Sequence, residues 1–288
     1  MPPHLLVDLS KCLGCSACTS VCIRGNLRME FGKASEAGGG LGCFDCGHCL
    51  AVCPAGAISL TAYPGYEPEA FEPGPPAVEP SDLSALLARR RSVRWFRPEP
   101  LSRGELELLM SSVANSPSTM NSQETRMVVV SEGFGAFTRH LARVLEPFEG
   151  EYPRVRQFRE HVADPYPTGP NPFTWEGRTV VLGFSREPED AVVAMARVEI
   201  MAEAMGLGGF YSHWIRLADG LDHDGFMGFF PDVPRDLRLR SAFVVGRPRV
   251  RYRRSAPRSG PRVDYVRRGE KRKGGAPGGA PVSLRAIS

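Results

Sequence analysis

CLGCSACTSVC at residues 12–22 and CFDCGHCLAVCP at residues 43–54 hold all eight cysteines of the 288-residue chain. Each stretch reads C-x2-C-x2-C-x3-C, so that Cys12, Cys15, Cys18 and Cys22 repeat as Cys43, Cys46, Cys49 and Cys53, with Pro54 closing the second copy. Two intervening residues let three thiolates converge on one face of an iron-sulfur cubane within a single turn of chain. Small residues help the backbone wrap such a group and aim its amides at sulfur: Gly14, Ser16 and Ala17 in one copy, Gly47 in the other. A disulfide framework suits a short secreted chain, not one of this length whose cysteines stop at residue 53. Paired zinc sites would use two C-x2-C pairs each, whereas the third cysteine at the same interval and the x3 step favour iron and sulfide. His48, inside the second copy, reads as a surface residue or a neighbour of the ligands rather than a ligand.

Residues 4–9 (HLLVDL) and 57–61 (AISLT) read as short strands flanking this core. The segment resembles bacterial two-cluster ferredoxin domains over about 60 residues, with one departure: Ile23 follows Cys22 where a proline is usual. In such domains the fourth cysteine of each run ligates the other cluster. The resemblance therefore implies one 4Fe-4S cluster on Cys12, Cys15, Cys18 and Cys53 and a second on Cys43, Cys46, Cys49 and Cys22. Residues 33–42 (KASEAGGGLG) read as a flexible loop between the two halves.

The length predicts a second core downstream. Residues 63–80 (YPGYEPEAFEPGPPAVEP) have the composition of an extended, semi-rigid tether, which puts a linker at 64–80. No apolar run approaches the ~18 residues needed to span a bilayer, and residues 1–10 do not read as a signal peptide, so a cytoplasmic protein with reduced thiols is expected. The net charge of +4 is unevenly spread. Residues 247–273 hold 12 Lys and Arg against 2 acids, leaving 24 basic and 30 acidic residues elsewhere. The basic, Gly/Pro-rich tail at 259–288 reads as a solvated tail wrapping its own dimer or as a contact for an acidic redox partner; nucleic acid is not an expected partner.

Residues 81–88 (SDLSALLA) read as a short amphipathic helix that delivers Arg89, Arg90, Arg91, Ser92, Val93 and Arg94. Four arginines around one serine suit a phosphate dianion, though a basic helix end would look the same. SRGE at 102–105 is a capping box opening a helix that runs through Met110 towards Val113. A small polar loop follows, with Asn115, Pro117, Ser118, Asn121 and Gln123, and then a buried strand at 126–130 (RMVVV).

The combination R-R-S-V-R-x-F and S-P-S-x-x-N-S-Q resembles the FMN-dependent nitroreductase family. Three later segments support it: a largely apolar helix at 190–205 leading into GLGG at 206–209, a late strand at 239–247 (LRSAFVVGR), and a closing basic segment at 252–258. The resemblance covers residues 81–258 and implies a three-layer α/β/α sandwich behind the ferredoxin-like domain, an α+β chain overall. It divides the chain into a two-cluster domain at 1–63, the linker at 64–80, an FMN domain at 81–258 and the tail at 259–288. By position, Arg90, Arg91, Ser92 and Arg94 would grip the FMN phosphate, with Arg254 returning to it. Pro117, Ser118 and Asn121 would contact the flavin or ribityl chain, often from the other subunit of a homodimer, and Ser212 and His213 lie near the expected approach to flavin N5. Glu124 and Thr125 replace the family's Pro-Trp, and Arg247 replaces the tyrosine of Gly-Tyr-Pro. Residues between Gly133 and Thr179 correspond to the variable lid over the flavin. There Tyr152, Phe158, Tyr166, Phe173 and Trp175 line a substrate pocket or form the lid's own small core.

No acid-base pair or nucleophile declares itself, as expected where a cofactor carries the chemistry. The expected function is an FMN-dependent oxidoreductase that takes electrons through two 4Fe-4S clusters and reduces a small electrophile such as a nitro compound or quinone. The donor would be an external ferredoxin or NAD(P)H. The two alternatives are a specialised reductase of a halogenated or unsaturated metabolite, and a non-catalytic relay or redox sensor.

Overall fold

A computed structural model describes residues 4–37, 41–71, 74, 78–254, 256–257, 260 and 263. The chain divides into a compact unit, Met1–Arg249, and a second unit, Val250–Ser288. Most of the second unit, and with it the basic tail, lies outside the described residues. Among the described residues no helix is long and apolar enough to cross a membrane.

The cysteine-rich part starts with β1 (Leu5–Val7), which pairs antiparallel with β4 (Ile58–Leu60), so the two flanking stretches close on each other, Leu5 opposite Leu60. Between them lie α1 (Ala17–Val21), the hairpin of β2 (Leu27–Glu30) and β3 (Lys33–Glu36), and α2 (His48–Ala51). Residues 33–36 are thus a strand and not the flexible loop that their small and polar residues predict. The physical reason is the two-residue turn at Phe31 and Gly32, both at positive φ (48° and 76°), whose twist matches a hairpin. Leu5, Leu27, Ala34, Leu50, Ile58 and Leu60 form a small core into which Cys12, Cys18 and Cys49 are also buried.

The downstream part contains α3 (Pro80–Arg89), α4 (Arg103–Ser111), β5 (Arg126–Val130), α5 (Phe134–Val144), α6 (Pro153–Ala163), β6 (Thr179–Ser185), α7 (Pro188–Ala204), β7 (Gly208–Tyr211), α8 (His213–Leu221), α9 (His223–Met227) and β8 (Arg238–Gly246). The sheet runs β5-β6-β8-β7 with every neighbouring pair antiparallel. Every residue of β6 is buried, because helices cover both faces. Alternation along the strand sorts the side chains. Val180, Leu182 and Phe184 join Phe137, Leu141, Phe158 and Phe226 on one side, while Val181 joins Leu109, Met195, Val198 and Phe243 on the other. This is a three-layer α/β/α sandwich. Gly183 lets α7 lie close on β6, since a Cβ there would sit 3.3 Å from that of Ala191.

The capping box at Ser102 is present in full: Ser102 Oγ accepts from the Glu105 amide, and the Glu105 carboxylate accepts from the Ser102 amide at 2.8 Å. The stretch between Gly133 and Thr179 is largely helical. Phe137, Leu141 and Val144 give α5 an apolar face, and Val155 and Phe158 anchor α6.

Candidate functional site

The two cysteine loops have the same backbone design. Left-handed residues occur at Gly14 and Ser16 (φ 71° and 66°) and at the equivalent Asp45 and Gly47 (φ 49° and 73°), each pair leading into a short helix that carries the third cysteine. Gly14 cannot carry a side chain: a Cβ would lie 2.2 Å from the Gly32 carbonyl oxygen at the hairpin tip.

Folding brings distant thiols together. Cys18 faces Cys12 and Cys53, and Cys49 faces Cys43, Cys46 and Cys22, so the fourth cysteine of each run sits with the opposite set. Burial pushes the Cys18 thiol above its ordinary value and that of Cys49 up to about 11, and the neighbouring sulfurs add repulsion. Backbone amides offset this locally. The amides of Ala34 and Gly14 hold Cys12 below its ordinary value, and Asn26, Asp45 and Ala57 donate to Cys22, Cys43 and Cys53 at 3.3 Å. A small cavity of about 20 Å³ lined by Cys12, Cys15, Cys18 and Cys53 together with apolar residues such as Met29 and Ile58 lies over the first set. Converging thiols, amides aimed at sulfur and apolar walls fit the requirements of 4Fe-4S clusters. His48 is exposed.

In the downstream part the arginine run crosses the edge of the sheet at β7, where the Val93 amide donates to the Gly209 carbonyl at 3.0 Å and Ser92 bridges Gly209. Gly208 and Gly209 permit that approach, because a Cβ at either would collide with Val93 or Phe243. Arg90 is part-buried and bonds Glu199 of α7 at 2.8 Å. Arg94 is exposed, its guanidinium 5.3 Å from the Phe210 ring centre. Arg91 is part-buried.

The 117–123 loop is organised separately. Pro117 is exposed, Ser118 Oγ accepts from the Gln123 amide at 2.9 Å, and Asn121 Nδ2 donates to the Phe44 carbonyl at 2.9 Å. Buried Asp190 in the first turn of α7 anchors the loop by accepting from both the amide and the hydroxyl of Thr119, at 2.8 and 2.9 Å. Asp190 and Glu199 are nine positions apart on one helix, roughly 13 Å along its axis at 1.5 Å per residue. One helix therefore positions both candidate cofactor segments. Neither acid is distinctive in sequence, since a carboxylate on a mixed helix reads as a solvated residue; only a buried position in its first turn would have drawn notice to Asp190.

Ser212 is buried at the N-cap of α8, where its hydroxyl donates to the Phe173 carbonyl at 3.2 Å and accepts from the Ile215 amide. His213 is exposed beside Arg216 and Trp214. Arg254 belongs to the second unit and is exposed. Among the aromatics before Thr179, Phe158 and Phe173 stack at 4.0 Å and Phe173 stacks on Trp214, which makes them core. Tyr152 packs on the edge of Trp214, Tyr166 is exposed, and Trp175 lines a surface groove with Arg154, His161 and Asp164.

Residues 87–247 match the model of the nitroreductase family, and residues 4–54 match that of the 4Fe-4S dicluster domain. Among solved structures the chain is similar to a nitroreductase with bound FMN from Bacteroides fragilis (13% identity, TM-score 0.53, 64% of this chain and 99% of that one). It is also similar to one from Desulfitobacterium hafniense (17% identity, TM-score 0.50, 64% and 98%). No curated protein matches the chain. The chain belongs to the nitroreductase family and carries an N-terminal 4Fe-4S dicluster domain.

Proposed function

We propose that the protein is an FMN-dependent oxidoreductase that receives electrons through two 4Fe-4S clusters and reduces a small electrophile such as a nitro compound or quinone. The observation that carries this is the union, in one compact unit, of two converged thiol sets and a nitroreductase sandwich. Bound FMN supplies conversion between one-electron and two-electron transfer. The chain supplies the rest. Arg90, Arg91, Ser92 and Arg94 would hold the phosphate, and charge-assisted bonds from guanidinium forks are the stronger kind. Glu199 pre-orients Arg90. Pro117, Ser118 and Asn121 face the flavin or ribityl chain. The separation of this loop from the arginines along α7 favours a homodimer in which each flavin draws on both chains. Near flavin N5 the Ser212 and His213 segment contributes backbone, since the Ser212 hydroxyl already caps α8.

Anaerobic purification followed by iron, sulfide and flavin analysis tests the proposal: about eight irons per chain and one FMN are expected. Flavin reduction by reduced ferredoxin and by NAD(P)H is then compared, and light scattering reports the dimer. Fewer than about eight irons, or a flavin that no one-electron donor reduces, contradicts it.

A further inference from the structure

The polar loop before β5 is bonded to the loop of the second cysteine set. Asn121 Nδ2 donates to the carbonyl of Phe44, the residue after Cys43, at 2.9 Å, and Gln123 Nε2 donates to Tyr63 Oη at 2.7 Å. Both ends of the Asn121 contact are held. On one side Met120, Asn121 and Gln123 all adopt left-handed backbone (φ 53°, 56° and 52°), a conformation costing about 1–3 kcal/mol per non-glycine residue and kept only where surroundings enforce it. Asp190 and Ser118 enforce it here. On the other side the Phe44 ring lies under the Arg24 guanidinium, 4.2 Å from the ring centre, and Arg24 also donates to the carbonyls of Leu41 and Gly42. Arg24 follows Cys22 by two residues, so the clamp spans two cysteines of the same set.

Each set keeps one exposed cysteine, Cys15 and Cys46, but the Asn121 bond named above goes to the second set's loop, while the first set's loop, which Gly14 seats against the hairpin tip, presents Leu13 and Phe31 at 70% and 105% exposure. We propose that the set Cys22, Cys43, Cys46 and Cys49 is the exit to the flavin, that Asn121 is the positioning residue fixing this exit against the flavin loop, and that the Cys12 set is the inlet from an external one-electron donor. The proposal rests on the electron-inlet reading above. Asn121 has the capacity for both tasks, because one amide hydrogen serves Phe44 while the other and the carbonyl oxygen remain for the cofactor. Electrons balance: the donor, a low-potential one-electron carrier, is oxidised twice, and two electrons with one proton from solvent make the hydride equivalent passed to substrate.

The test uses the anaerobic holoprotein. A flash-generated deazaflavin radical reduces the clusters, and flavin bleaching is followed against direct reduction by dithionite. Asn121→Asp keeps the shape but removes the N–H donor. The ratio of cluster-fed to direct rate is expected to fall on the order of 10- to 100-fold, the scale on which small misplacements act, with about eight irons retained. Amide exchange in residues 41–47 should rise in the same variant, a readout independent of turnover. If Asn121→Asp loses FMN, the pair Tyr63→Phe and Gln123→Leu decides, with a smaller fall in the same ratio expected. An unchanged ratio, or unchanged exchange in 41–47, overturns the exit assignment. Wild-type clusters that stay reduced while the flavin fails to bleach would instead overturn the inlet reading itself.

Discussion

Gly14 shows how one residue carries a metal centre. Its positive φ and the 2.2 Å approach of the Gly32 carbonyl leave no room for a methyl group, so Gly14→Ala should displace the loop that presents Cys12 and Cys15. Iron content is expected to fall from about eight towards about four per chain, measured by chelation assay. At the arginine run, Arg90→Ala should weaken FMN binding by about 1.5–3 kcal/mol, roughly 10- to 100-fold in a fluorescence titration of the apoprotein. Glu203 of α7 adds a pH signature. Burial raises its pKa, Arg89 and Arg90 pull it back, and Glu199 repels it. Because the folded value lies above the unfolded one, the folded state holds the proton longer, so stability declines as pH rises from the unfolded value through the folded one. Glu203→Gln should remove that slope and raise the neutral-pH melting temperature, and a Tm series against pH reads it. The cysteines were legible at this scale because ligand spacing is a local property. The partners of Asp190 and Glu199 lie 71 and 109 residues away in sequence, and no local pattern encodes them.

At the scale of elements, short-range chemistry was the readable part. The capping box of α4 follows from four consecutive residues, and Ser102→Ala should cost about 1 kcal/mol in urea unfolding. Bonds from the Ser102 amide and hydroxyl, with Arg247 adding to them, hold the Glu105 carboxyl below the usual range. Its contribution is therefore present above the unfolded pKa and lost as pH falls through the lower folded one. Strand β5 and helices α3 and α7 also follow the expected positions to within a few residues. The hairpin at Phe31 was hidden because phenylalanine rarely takes the left-handed turn position that glycine signals. Strand β6 was hidden because the VVLGF within TVVLGFS is a continuous apolar run, with no period to separate strand from buried helix. Of the aromatics before β6, Phe158 and Phe173 take the packing role, while Tyr166 is exposed and Trp175 lines a surface groove. Phe173→Ala, which empties the space between Phe158 and Trp214, should cost about 3–5 kcal/mol.

For the whole molecule, the cysteine-rich part has, among the described residues, a core of ten buried residues, three of them cysteines, and so depends on its clusters. Stripping iron and sulfide should abolish its protection from amide exchange while the sandwich, with its two apolar layers, keeps a cooperative melt. Local spacing and turn chemistry by themselves determined the cluster ligands, the capped helix and the resemblance to a flavin-binding sandwich, because each is written within a few residues of chain. Only the tertiary structure decided which helix holds both candidate cofactor segments, and that the Asn121 loop is bonded to the loop of the second cysteine set. Those are contacts between residues tens of positions apart, and they exist only once burial of the apolar layers has brought the segments together.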